Sequence, residues 1–245
     1  MELRLRKLPA AVVLVATLAL LTVAPATSAD EALVSYGPSD ADSIAILSGV
    51  YDHTGGPGTS FWWDHADLTV AVSAAPGAEP QLVEAIHDAI ATWSSVLQSR
   101  LPIVSLTDVT GDARNRQNAD ITLRYIPKAG GFSWGGLAIC GYQRCPNVLI
   151  RSDLTGLDQI RNGELDFDAT RVYVTALHEL GHALGLGHAT PLETSLDIMG
   201  YGWALPDPDL TPILSDCDLA GIAAAFAWAV NGEAPHPATV SSVAC

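Results

Sequence analysis

Positive charge is what this sequence has least of: 12 Lys and Arg stand against 27 Asp and Glu in 245 residues, a formal net charge of −15. A nucleic-acid partner is excluded on that ground, because phosphate recognition needs a cationic face. Charge of either sign is sparse, at 16% of residues, while 49% are hydrophobic. That balance excludes a disordered chain and is ample for a sizeable core. Past the opening thirty residues no apolar run approaches the ~20 residues that a bilayer requires. Methionine occurs twice, at Met1 and Met199, and cysteine four times. Internal repeats are absent, so an array or solenoid is excluded as well.

What is present begins at the N-terminus. Arg4, Arg6 and Lys7 precede an apolar stretch from about Ala10 to Val23, and small residues through Thr27-Ser28-Ala29 close it. Basic, apolar, small is the order of a secretory signal peptide, read here as residues 1–29 with maturation at Asp30; cleavage after Ala26 is the alternative. Its removal leaves 9 bases against 26 acids, net −17. The expectation is a secreted, extracellular chain without stable membrane association. In that oxidising setting Cys140, Cys145, Cys217 and Cys245 are expected to be paired. Four cysteines allow three pairings. Cys140–Cys145 with Cys217–Cys245 is preferred, because the first two flank a short Gly-Tyr-Gln-Arg turn.

Residues 30–59, rich in Gly, Ser, Asp and Pro, read as a leader and loop segment. Asp67–Ser73 alternates as a strand. Pro80 then opens a helix to about Ser99, with Leu82, Ile86, Ala89, Ile90, Trp93 and Leu97 on one apolar stripe. Trp93 reads as core, and His87 beside the stripe as a partly exposed structural histidine. Strands are expected at about 103–109, 120–126, 137–140 and 147–151. A loop with five carboxylates (Asp153, Asp158, Glu164, Asp166, Asp168) leads to a helix over about 171–184. Irregular chain to about Pro212 and a final helix over 216–230 complete one α+β domain, 60–230, followed by a tail, 231–245, tied by Cys245.

Chemistry concentrates in His178-Glu179-Leu-Gly-His182-Ala-Leu-Gly185-Leu-Gly-His188, where three of the seven histidines fall within eleven residues. Residues four apart share a helix face, so His178 and His182 can offer both imidazoles to one metal ion. Glu179, one step round the helix, can reach a water at the metal without being a ligand. Gly185 and Gly187 stop the helix, glycine readily taking the left-handed conformation that turns the chain, and His188 returns as a third nitrogen. Three neutral histidines leave one position open, which suits a catalytic zinc.

That segment resembles the extended HExxHxxGxxH motif of the metzincins, zinc-dependent endopeptidases whose second mark is a methionine in a tight turn beneath the metal. Asp197-Ile198-Met199-Gly200 is similar to that Met-turn. Among metzincins the chain looks most like a matrixin, the matrix metalloproteinase type of catalytic domain. Asp67-Leu-Thr-Val resembles its first strand, the helix with Trp93 its first helix, and Gly135-Gly-Leu-Ala-Ile-Cys140 its substrate-pairing edge strand. Leu214-Ser-Asp-Cys-Asp218-Leu-Ala-Gly221-Ile resembles the opening of its last helix, with Cys217 in place of an Asp. The resemblance implies a zincin domain with a twisted mixed β-sheet, an active-site helix carrying HExxH, and a C-terminal helix after the Met-turn. It also implies zinc on His178, His182 and His188, Glu179 as general base, Met199 as an apolar floor, and protein or peptide substrates cleaved by a monomer.

Departures from the family matter too. The matrixin edge strand carries a histidine for a second, structural zinc where this chain has Ile139, and neither Ile126-Pro-Lys128 nor 147–151 supplies a His or Asp. One zinc is therefore expected. Residues 30–60 contain no Cys, so latency by thiol ligation is not expected. Met199-Gly-Tyr201 is also similar to the Met-x-Tyr of astacins and serralysins, whose tyrosine hydroxyl sits near zinc; in matrixins this stretch lines the pocket beyond the cleaved bond. Both roles stay open for Tyr201. His53, His65 and His236 read as solvated, and the carboxylates at 153–168 as a weak calcium candidate lacking regular loop spacing. The rival from another class is a secreted, non-catalytic binding protein on the same scaffold.

Overall fold

A computed structural model describes residues 34–47, 62–126, 135–141, 144–151, 169–202 and 211–245, the side chains at 141, 144 and 145 excepted. All belong to one compact unit, Ala32–Cys245. The proposed signal peptide, the carboxylates at 153–168 and His53 lie outside the described residues.

The main sheet has five strands in the order β4-β3-β5-β7-β6. β3 (Asp67–Ala74) lies between β4 (Ser105–Asp108) and β5 (Ile121–Ile126), and is parallel to both. β7 (Arg144–Arg151) continues the parallel set, and β6 (Gly136–Gly141) runs antiparallel along its outer side. The sheet is thus mixed, with one antiparallel edge, as expected for the α+β class. Alternation decides which side chains meet the core: in β5, Ile121, Leu123 and Tyr125 are buried, whereas Thr122 and Arg124 are not.

Helix α1 (Pro80–Arg100) starts with proline in its first turn, where no backbone donor is lost. Every member of its expected stripe is buried, Trp93 completely. The Trp93 indole N–H also donates to the Leu177 carbonyl at 2.9 Å. A side chain read as core thereby pins α1 to α2 (Ala169–Ala183), the helix carrying the histidines. Trp63 holds the other end of α2, its indole N–H donating to the Ala183 carbonyl at 2.8 Å.

Three expectations change. The leader reading fails over 34–47: β1 (Ser35–Gly37) and β2 (Ser43–Ile46) are strands, with Ile44 and Ile46 buried. They are too short to show alternation by themselves and gain their order from distant partners. The irregular chain expected from 184 to about Pro212 contains β8 (Leu186–Thr190), and β9 (Ile213–Ser215) follows it, ahead of the last helix. β2 pairs antiparallel with β8 and with β10 (Ser242–Ala244), while β1 pairs parallel with β9. Finally, the last helix breaks at Phe226 into α3 (Asp216–Ala225) and α4 (Ala227–Asn231). Residues two apart on a continuous helix point about 200° apart. Phe226 and Trp228 are both buried, with ring centroids 6.3 Å apart, and the break turns both inward.

Candidate metal centre

Almost every residue of α2 from Val172 to Ala183 is buried, an unusual setting for two histidines and a glutamate. His178 and His182 share one face, as their spacing requires. Gly185 then takes φ +106, a left-handed conformation natural to glycine, and a Cβ there would lie 2.7 Å from the Ala225 Cβ. The reversed chain becomes β8, pressed so closely on β2 that a Cβ at Gly187 would meet that of Ala45 at 2.7 Å. His188 sits in the middle of β8. The result is that ligand atoms of His178, His182 and His188 all lie within 4.8 Å of one another.

The same turns orient the imidazoles. His182 Nδ1 lies 2.8 Å from the carbonyl of Leu186, the first residue after the turn. His178 Nδ1 lies 2.8 Å from the Ile198 carbonyl. A carbonyl only accepts, so each Nδ1 must carry the proton, and Nε2 is the nitrogen left to face a metal. Burial, followed by the neighbouring His188, holds the His178 pKa down to about 3 despite the Ile198 bond, so the ring is neutral. Imidazoles brought together from one helix face and from β8, two of them tethered at Nδ1, fit zinc.

Ile198 belongs to the Met-turn, whose Met199 carbonyl accepts the N–H of Ala189, next to His188. Met199 is fully buried, and its sulfur occupies the space that a Cβ at Gly181 would fill. Asp197 is fully buried as well, accepting from the hydroxyls of Ser39 and Ser215, each at 2.7 Å. Ser215 caps α3 in a capping box with Asp218. Burial first, then the carboxyl of Asp197, raises the Asp218 pKa well above the usual carboxylate range.

Glu179 faces β6. Burial pushes its pKa up to about 8, although an N–H from Ala138 opposes the shift. The sheet edge approaches so closely here that a Cβ at Gly136 would fall on the Glu179 side chain, 2.6 Å from Oε1. The Tyr201 hydroxyl stands 3.1 Å from His188 Nε2, with its ring centroid 5.2 Å from that of His188 and 5.4 Å from that of His178. The sequence-derived set of His178, Glu179, His182, Gly185, His188, Met199 and Tyr201 is thus gathered in one place.

Sequence reasoning named Gly136, Gly181 and Asp197 only as members of motif segments, without their contacts, and missed Ser39. Only Gly181, between the two helical histidines, carried a local signal. His65 and His236, read as solvated, are partly exposed and each has acidic partners that the sequence did not indicate: His65 bridges Asp64 and Asp120, and His236 pairs with Glu233. Asp120 is brought to His65 from the start of β5, which no spacing in the sequence announces. His87 pairs with Asp108 on the surface, away from any ligand set. Cys217 and Cys245 form a disulfide. Cys140 is disulfide-bonded, and the side chain of Cys145 is among those not described.

Comparison with known proteins matches residues 62–226 to the matrixin family model. Matrix metalloproteinase-27 of Tupaia belangeri is 29% identical over 143 residues, 57% of this chain. The chain spans about a quarter, 25%, of the length of that curated relative. Among solved structures, a chain described as the GM1 bound form of the ECX AB5 holotoxin superposes with a TM-score of 0.40 at 12% identity, covering 81% of this chain and 91% of that one. At that score the likeness carries no argument.

Proposed function

The chain belongs to the matrixin family, and on that premise we propose that it is an exported zinc endopeptidase that cleaves protein or peptide substrates as a monomer. The observation that carries the reading is the convergence of His178, His182 and His188 within 4.8 Å, with two Nδ1 protons committed to carbonyls and Glu179 buried alongside. When bound, zinc supplies Lewis-acid polarisation of the scissile carbonyl and makes water acidic enough to attack near neutral pH. The three imidazoles would hold it, and the Nδ1 tethers of His178 and His182 keep those two Nε2 atoms aimed.

Glu179 takes the proton of the attacking water on its carboxylate and delivers it to the leaving amine nitrogen, as base and then acid. Its buried position makes the carboxyl a stronger base than an exposed one. An extended substrate adds alongside β6, pairing main chain with main chain. The distance of the Tyr201 hydroxyl from His188 Nε2 favours a hydrogen bond to the developing oxyanion over a mere pocket wall. A mature chain of net −17 favours neutral or basic substrates over acidic ones.

Export rests on the basic-apolar-small order of residues 1–29. No helix among the described residues is long and apolar enough to cross a membrane. N-terminal sequencing of the exported chain, expected to begin at Asp30, tests that part. Casein or gelatin hydrolysis by the mature chain, abolished by a chelator and restored by zinc, tests the activity. Activity indifferent to chelation, with no zinc on elemental analysis, refutes it. Stoichiometric zinc without turnover would point instead to a binding protein on the same scaffold.

A further inference from the structure

Hydrogen bonds from the metal centre lead into a segment that the matrixin match does not include. The match begins at residue 62, whereas Ser39 and Asp40 lie upstream of it, between β1 and β2. We propose that Asp40 is a positioning residue of the metal centre, holding residues 195–197 and, through them, the Ile198 carbonyl that orients His178. The inference rests on the reading of the three histidines as a zinc site.

The geometry is specific. Asp40 Oδ1 accepts from the Ser195 hydroxyl at 2.6 Å and from the Asp197 N–H at 3.2 Å, and Oδ2 accepts from the Leu196 N–H at 2.8 Å. One carboxylate therefore binds three donors on three consecutive residues, across 155 to 157 positions of sequence. Next door, the Ser39 hydroxyl donates to Asp197 Oδ2, so the segment grips the Met-turn twice. Ile198 follows directly, its carbonyl on His178 Nδ1 and its N–H on the Ile213 carbonyl. A backbone shift at 196–197 moves that carbonyl, and a tethered imidazole turns with it, taking Nε2 off the point shared with His182 and His188.

Asp40 is itself exposed, and water can partly replace it. That places the effect at the low end of what outer groups contribute to metal sites. The residue acts through the Met-turn and does not touch substrate.

The test uses the full chain as Asp40→Ala, with Asp42→Ala as a control that removes the same charge from the same segment. Three quantities are measured: zinc affinity by competition with a chromophoric chelator, urea stability of the zinc-free protein, and kcat and KM on a peptide substrate. Asp40→Ala is expected to bind zinc about tenfold more weakly, and Asp42→Ala within about twofold of wild type. The loss should appear in kcat rather than KM. Zinc affinity equal to wild type in Asp40→Ala, whatever its stability, overturns the proposal, and so does an equal loss in Asp42→Ala. Should Asp40→Ala not fold, Asp40→Asn, which keeps one acceptor oxygen, is expected to fall between the two, and unchanged affinity there overturns the proposal equally. A wild-type chain that binds no zinc refutes the reading of the site itself and this inference with it, an outcome distinct from a wild type and variant that bind alike.

Discussion

Glu179→Gln in the zinc-free protein tests the electrostatics of the site without relying on turnover. The carboxyl has an ordinary pKa of 4.5 and is raised to about 8 by burial on α2 against β6. Below pH 4.5 it is protonated in both folded and unfolded chains and costs nothing. Between pH 4.5 and 8 the unfolded chain releases the proton while the folded one keeps it, so stability falls as pH rises. The slope is about 1.4 kcal/mol per pH unit, and the full window amounts to a ceiling on the order of 5 kcal/mol. Glutamine cannot ionise and removes the term. Asp218, also raised, pulls in the same direction, and His178, depressed to about 3, stabilises above pH 6.5 and loses that contribution as pH falls towards 3. Both groups are shared by wild type and variant and cancel in the difference. Urea unfolding of the chelator-dialysed proteins at pH 5, 6, 7 and 8 should therefore show the Gln variant gaining on wild type at each step. Parallel stability curves across that range would refute the assignment of Glu179 as a carboxyl desolvated by its packing.

Tyr201→Phe should lower kcat by about 100-fold with zinc content unchanged if the hydroxyl faces the oxyanion; a rate within about threefold of wild type assigns the ring to the pocket wall. Gly185→Ala combines a left-handed backbone with a Cβ 2.7 Å from that of Ala225, and should cost about 2–4 kcal/mol in urea unfolding. A neutral effect would show that the turn returning His188 to the site is not strained by a side chain. Cys245→Ser opens a loop of 28 residues, and should destabilise the fold by about 3 kcal/mol while leaving kcat/KM per folded molecule near wild type.

The elements legible in the sequence are those whose cause is local. α1 announced itself because its apolar residues recur at the helix period, and β5 because its residues alternate. The three clustered histidines were legible for a related reason: two lie one helical turn apart, and the third follows a glycine that must reverse the chain. β1 and β2 left no trace, since three or four residues are too few for a pattern and their order comes from β9, β8 and β10. The break at Phe226 was equally hidden, because a run of Ala, Phe and Trp continues a helix as readily as it ends one.

Spacing along one helix and one turn thus determined which atoms could meet a metal, a matter of fixed rise and rotation per residue. Tertiary packing alone decided how they are aimed and in what protonation state. Ile198 on His178, Asp40 and Ser39 on the Met-turn, Gly136 against Glu179, and Gly181 over Met199 each join positions between 18 and 158 residues apart. Hydrogen bonds and close contacts over such separations leave no periodicity in the chain. Desolvation, which raises Glu179 and lowers His178, exists only once the elements have closed around them.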